Sequence, residues 1–278
     1  MASQKLEDAV KANDESAIRK ALQNSDNPDI ASIVITINKL PKECPILMHF
    51  CILGNYNLVK QLLDYSANPN ITSSKFRQSN TMTPHNRGTP LICAAYVGHV
   101  EIIQLLIQKS ADPYIKTNSD TTALMYACIK GHYKAVEELL KYPNNINDKN
   151  ITGHTALLYA VKNKKYDIFK LLLKHKADPN ICDRKSGKSP LMYVIESAYK
   201  KKFEIIDLLL KYKADLNIYD LSEGSNWRDH GYGPCGKSAL MYAIYIKNIP
   251  LIKLLLAHSA TQNDYTKGWI ALVVACMI

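Results

Sequence analysis

The residues most suggestive of chemistry lie together in Ser225-Asn226-Trp227-Arg228-Asp229-His230-Gly231-Tyr232-Gly233-Pro234-Cys235. An Asp, a His and a Cys in one stretch would suit nucleophilic catalysis, with the imidazole acting as base toward the thiol. All three, however, share a single glycine-rich segment, and catalytic groups need support from separate rigid elements. The other thiols follow a different rule. Cys51, Cys128 and Cys276 each fall four residues after a leucine, in a slot that elsewhere holds Ala95, Val161 and Ile244. A position shared by Cys, Ala, Val and Ile is that of a buried small hydrophobe. No phosphate loop, paired metal motif or nucleophile elbow occurs. The sequence therefore calls for no catalytic residue, no metal and no cofactor.

The bulk properties narrow the class. Hydrophobic residues make up 47% of the 278, enough for a sizeable core. The longest apolar runs, Ala31–Ile37 and Ile270–Ile278, fall short of the roughly 20 residues that span a bilayer. The N-terminus lacks the apolar stretch of a secretory signal. Seven cysteines without paired spacing fit a reducing compartment, so the expected location is cytoplasmic. The net charge of +10 opens a nucleic-acid or anionic-membrane reading. Much of that charge sits where helices end, as at Lys174, Lys176, Lys211 and Lys213, where cations oppose the helix dipole.

The elements that position these residues repeat. Small-residue–Ala/Pro–Leu triplets recur at Thr89-Pro90-Leu91, Thr122-Ala123-Leu124, Thr155-Ala156-Leu157, Ser189-Pro190-Leu191 and Ser238-Ala239-Leu240. Weaker copies are Pro45-Ile46-Leu47 and Ile270-Ala271-Leu272. From Leu47 the intervals between anchor leucines are 44, 33, 33, 34, 49 and 32, a period near 33 with two insertions. Thr or Ser caps a first helix. Gly54, Gly98 or Gly131 ends it. A second helix follows, as in Ile102-Ile103-Gln104-Leu105-Leu106, and closes at Ala111-Asp112-Pro113 or a relative such as Ala177-Asp178-Pro179-Asn180. Proline there turns the chain outward.

These motifs resemble those of the ankyrin-repeat family over essentially the whole chain. The resemblance implies an all-α solenoid of stacked helix–turn–helix units with projecting β-hairpin loops, held together by stacking between neighbours. Residues 1–278 read as a single array. Residues 1–46 form a degenerate capping unit and linker, 47–268 the repeats with insertions near 72–88 and 220–236, and 269–278 an incomplete last repeat. The family's Thr-Pro-Leu-His has lost its histidine in every copy, replaced by Ile92, Met125, Leu158, Met192 and Met241, which implies a greasier inner layer. His99 and His132 resemble the family's structural histidines after the turn glycine. Tyr126, Tyr159, Tyr193 and Tyr242, two after the anchor, fill a slot that is usually an inward-packed leucine in similar proteins.

Ankyrin-like proteins bind partners along a concave groove lined by hairpin tips and by the two residues before each turn. On this chain those are Ile52 and Leu53, Tyr96 and Val97, Ile129 and Lys130, Lys162 and Asn163, and Tyr245 and Ile246. Aromatic and arginine residues in the insertions, Phe76, Arg77, Trp227, Arg228 and Tyr232, are further expected anchors, since Trp, Tyr and Arg dominate hot spots. Asp29–Leu40 is longer than the repeat requires and receives no account from the motif. The C-terminal Ile270–Ile278 has no second helix, so Val273, Val274 and Ile278 are expected to be exposed or covered by another chain.

The leading reading is a non-catalytic scaffold or adaptor that binds another protein. Two alternatives stand beside it: a basic module docking on nucleic acid or anionic lipid, and an enzyme with its site in the 220–236 insertion. The abundance of Lys, Asn, Ile and Tyr fits an effector of an intracellular bacterium or large virus, delivered into a host cell.

Overall fold

A computed structural model of the chain describes residues 45–72, 88–142, 145–198, 201–221 and 236–258, with parts of 5–23 and short pieces at 34–35 and 44. The described residues form two compact units, 1–151 and 152–278.

The first unit opens with α1 (Glu15–Gln23), an amphipathic helix that buries Ile18 and leaves Glu15 to accept from the side chain of Asn55. Two-residue strands β1 (Val34–Ile35) and β2 (Cys44–Pro45) pair antiparallel, placing part of the segment the repeat motif left unexplained. Three helix pairs follow: α2 (Ile46–Leu53) with α3 (Tyr56–Asp64), α4 (Pro90–Val97) with α5 (Val100–Gln108), and α6 (Ala123–Lys130) with α7 (Tyr133–Leu139). First helices pack on first helices, α2 on α4 and α4 on α6, while second helices form the adjoining layer.

The second unit repeats the plan. It contains α8 (Ala156–Lys162) with α9 (Tyr166–Lys174), α10 (Pro190–Glu196) with α11 (Lys202–Lys211), and α12 (Ala239–Tyr245) with α13 (Ile249–Ala257). Here α10 packs between α8 and α12.

Local chemistry sets the helix boundaries as the motif predicts. The hydroxyls of Thr89, Thr122, Thr155, Ser189 and Ser238 accept the amides of Ile92, Met125, Leu158, Met192 and Met241 at 3.2–3.4 Å. Four of those five residues in the lost-histidine slot are buried; Met241 is exposed. Cys51 and Cys128 are fully buried, and burial pushes the Cys128 thiol upward. Cys276 lies outside the described residues.

First helices other than α10, which ends on an extended Ser197, close seven residues after the anchor with a left-handed residue. In the first unit it is Gly54, Gly98 or Gly131; in the second it is Lys164 (φ 55°) or Lys247 (φ 54°). Gly98 serves a second purpose. A Cβ there would lie 2.6 Å from the His132 ring, because that ring folds over the preceding turn to bond the Tyr96 carbonyl at 3.1 Å. His99 bonds the Ile52 carbonyl at 3.3 Å in the same way. These two histidines are structural ties between repeats.

Second helices also exit through a left-handed residue, Ser66, Ser110, Lys176 or Lys213, and then bury Ala67, Ala111, Ala177 or Ala214. Asparagine joins neighbouring exits. Asn70 accepts the Asp112 amide and donates to the Ser110 carbonyl; Asn180 does the same with Asp215 and Lys213. The described parts of the connections between helix pairs turn tightly at their tips. Their tips are linked by Ile151 N to Ser119 O in one unit, and by Arg184 N to Thr152 O and Leu221 N to Ser186 O in the other.

Candidate partner-binding site

The face formed by first helices and hairpin arms is built from three slots, counted from each anchor leucine. Two residues after the anchor lies the floor. In the first unit it is His49, Cys93 and Tyr126; in the second it is Tyr159, Tyr193 and Tyr242. All but Tyr193, which is half-buried, are buried, as inward packing requires. A buried phenol needs a partner for its hydroxyl, and the hairpins supply it. The Tyr193 hydroxyl donates to Asp183 Oδ2 at 2.5 Å, and the Tyr242 hydroxyl donates to Asp220 Oδ2. Tyr126 bonds Thr117 and Ser119.

Asp183 anchors its whole turn. It also accepts the amides of Lys185 and Ser186 and the Ser186 hydroxyl. Burial alone would raise its carboxyl, but the bonds from Ser186, Tyr193 and Lys185 outweigh that and hold it at about 2. Burial and then the Asp183 bond push the Tyr193 phenol up to about 12. The same two causes raise Tyr242, with Asp220 as its partner.

The walls come from slots eight residues apart, three before the anchor on the hairpin arm and five after it on the helix. In the second unit they form three cross-face contacts. Lys162 Nζ lies 3.0 Å from His154 Nε2, Lys188 bonds both Glu196 oxygens at 2.8 Å, and Lys237 Nζ lies 4.7 Å from the Tyr245 ring centroid. Lys162 also lies 4.8 Å from the Tyr193 ring centroid and 3.4 Å from its hydroxyl. Burial, followed by the Lys162 charge, lowers His154, leaving the imidazole neutral to accept from the ammonium. Thr152 Oγ1 contacts its other nitrogen at 2.9 Å.

The same slots in the first unit are apolar on the helix side. Ile52, Tyr96 and Ile129 are half-buried there. Tyr96 meets Tyr126 edge-on at 5.8 Å, and Lys130 covers its ring at 4.2 Å. Of the other expected groove residues, Val97 is half-buried, while Leu53, Lys130, Lys162, Asn163, Tyr245 and Ile246 are exposed, Tyr245 to 74%. The structure brings Tyr96 and Lys130 together in one unit and sets Lys162 and Tyr245 on one face of the other. Phe76, Arg77, Trp227, Arg228 and Tyr232 lie outside the described residues, as do Asp229, His230 and 269–278.

Sequence reasoning missed His154, Lys188 and Lys237. Their signal was available: each sits three residues before an anchor leucine, so aligning the repeats puts them in one column. Charge divides the same way. Residues 152–278 hold nineteen Lys and Arg against eleven Asp and Glu, a net +8; residues 1–151 hold sixteen against fourteen, a net +2.

Other sites offer little chemistry. An open cavity of about 380 Å³ beside α3 and α5 is lined by Gly54, Tyr56, His99, Glu101 and Gln104, with His99 already bound to Ile52. Among the described residues no group of three or more His, Cys, Asp or Glu could hold a metal, and no helix is long and apolar enough to cross a membrane.

The family model for ankyrin repeats matches three times, over residues 6–116, 47–150 and 138–220. No curated protein matches the chain. Among solved structures it is similar to the ankyrin repeat domain of Bcl-3, a unique member of the IkappaB protein family. The identity is 25% and the TM-score 0.62, over 77% of this chain and 86% of that one. The matched segments together run from residue 6 to residue 220, well over half the length, and the chain belongs to the ankyrin-repeat family.

Proposed function

We propose that this protein is a non-catalytic adaptor that holds a partner protein against the face that first helices and hairpin arms make in each unit. The family is one of protein-interaction modules, generally without catalysis of its own. The observation that carries the reading is the exposure of large side chains on this face. Leu53 at 54%, Tyr245 at 74% and Ile246 at 37% have no structural need to face water, and tyrosine suits interface centres. The binding residues are Ile52, Leu53, Tyr96, Val97, Ile129, Lys130, Lys162, Asn163, Tyr245 and Ile246, with Phe76, Arg77, Trp227, Arg228 and Tyr232 of the insertions as additional anchors. The adaptor acts in the cytoplasm. Delivery into a host cell as an effector rests on composition alone.

The reading is tested by capture from a eukaryotic lysate with wild type and two variants, Tyr96→Ala/Ile129→Ala and Tyr245→Ala/Ile246→Ala, each shown by circular dichroism to keep its helix content. A protein retained by wild type and lost by either folded variant supports the reading. Equal retention by all three contradicts it. Capture of nucleic acid or lipid alone, abolished by salt, favours the electrostatic alternative, for which the +8 of residues 152–278 is the supporting observation.

A further inference from the structure

The face of the second unit has an unusual charge balance. Its described carboxylates are all committed internally. Asp183 is surrounded by Ser186, Tyr193 and Lys185, Asp220 accepts the Tyr242 hydroxyl and the Lys237 amide, and Glu196 is paired with Lys188. The cations are not committed in the same way. Lys162 contacts a neutral imidazole and a phenol, and Lys237 lies against the rings of Tyr245 and Tyr242. Neither has a carboxylate within ion-pair distance among the described residues. Tyrosine rings hold both ammoniums on this face without an ion pair, the Asp183 charge reaching Lys162 only from beyond that distance.

We infer that the face of residues 152–278 takes an acidic segment of the partner, rich in Asp and Glu, with Lys162 and Lys237 as its anchoring cations. The inference rests on the protein-binding reading above and names the chemistry of the partner. Charge complementarity selects an anionic occupant. The ring contacts select a carboxylate-bearing chain over a single-stranded nucleic acid. Bases need open aromatic faces on which to stack, and here lysines lie over Tyr193 and Tyr242, and Lys237 lies 4.7 Å from the ring centroid of the exposed Tyr245. A carboxylate meets the ammonium and leaves that stack in place.

The test uses the full chain and three fluorescein-labelled probes of matched length: a Glu/Ser peptide, a Lys/Ser peptide and oligo(dT). Binding is followed by anisotropy at low and moderate salt. Lys162→Glu/Lys237→Glu is compared with the charge-matched control Lys174→Glu/Lys253→Glu, whose lysines are exposed on second helices. The expected result is binding of the Glu/Ser peptide only, weakened about tenfold or more by the face variant and less than threefold by the control. Equal weakening by both pairs would show that net charge alone is read, overturning the assigned cations. Tighter binding of oligo(dT) would overturn the acidic-peptide assignment in favour of nucleic acid. Absence of Glu/Ser binding overturns it too. If the lysate partner is still lost on Tyr245→Ala/Ile246→Ala in that last case, the adaptor reading survives and only the partner chemistry fails.

Discussion

The two units follow one plan with different materials. In residues 1–151 the first-helix turns are glycines, two of them covered by a histidine from the next repeat, and the helix side of the binding face is half-buried Ile52, Tyr96 and Ile129. In residues 152–278 two of those turns are lysines forced into the left-handed region, and the face is tyrosine, lysine and buried aspartate. The first unit closes its turns with glycine and histidine, where the second uses lysine turns and aspartate–tyrosine bonds. A repeat thus tolerates exchange of its local devices as long as the caps and the apolar stripe stay in register.

The largest way to break this comparison is at Gly98. An added Cβ would meet the His132 ring at 2.6 Å in a backbone with φ +94°. Gly98→Ala should cost about 3 kcal/mol in urea unfolding, the sum of ring displacement and left-handed strain. Gly98→Ala/His132→Ala should relieve the steric part, and an unchanged cost in that double variant would show that the ring is not the obstacle.

Asp183 is next. Its carboxyl lies below the ordinary carboxylate value when folded, so the unfolded chain takes up the proton first as pH falls. Its stabilisation, worth about 2 kcal/mol, is complete above about pH 5 and is lost as pH falls through about 2. Asp183→Asn should therefore lower stability by that order at pH 7, with the gap from wild type narrowing below about pH 4 and closing only as pH falls below about 2. A gap constant with pH would assign the loss to shape rather than charge.

His49 supplies the first unit's counterpart. It occupies the floor slot that holds tyrosine in the second unit, is buried, and its Nδ1 finds no hydrogen-bond partner among the described residues. Burial lowers its pKa, so the unfolded chain protonates first and stability declines as pH falls below about 6.5. Melting curves between pH 7.5 and 5.5 should show this decline in wild type and a shallower one in His49→Phe. Parallel declines would place the titration elsewhere.

Smaller effects sharpen the picture. Lys164→Gly and Lys247→Gly should each stabilise by up to about 1 kcal/mol, because glycine removes the left-handed penalty and returns part of the gain as unfolded-state entropy. Destabilisation by either would mean that the lysine side chain contributes more than its backbone costs. Lys109→Ala, which removes an exposed 2.7 Å pair with Asp64, should leave the urea-unfolding midpoint essentially unchanged.

The repeat fold was legible because its signals are local. A threonine or serine two before the anchor leucine caps its own helix, and a glycine seven after it makes its own turn. The buried tyrosine ladder was legible for the same reason. The hydrogen bonds that satisfy it were not, since Asp183 and Asp220 lie 10 and 22 residues before their phenols and meet them only when the hairpin folds back. The lysine turns escaped because lysine carries no preference for positive φ; only its place in the repeat column reveals it. The cross-face pairs His154–Lys162 and Lys188–Glu196 are eight apart, about 12 Å along a single helix and out of contact there. The spacing acquires meaning once an arm packs against the helix that follows it.

The central claim is that first helices and hairpin arms form the binding face. Amide hydrogen exchange on the protein with and without its captured partner tests it most directly. The account predicts slowed exchange at Tyr96–Val97, at Ile129–Lys130, at Asn163, at Tyr245–Ile246 and in the 183–188 turn, with second helices α5, α9 and α11 unchanged. Protection confined to those second helices would contradict it and place the partner on the opposite layer.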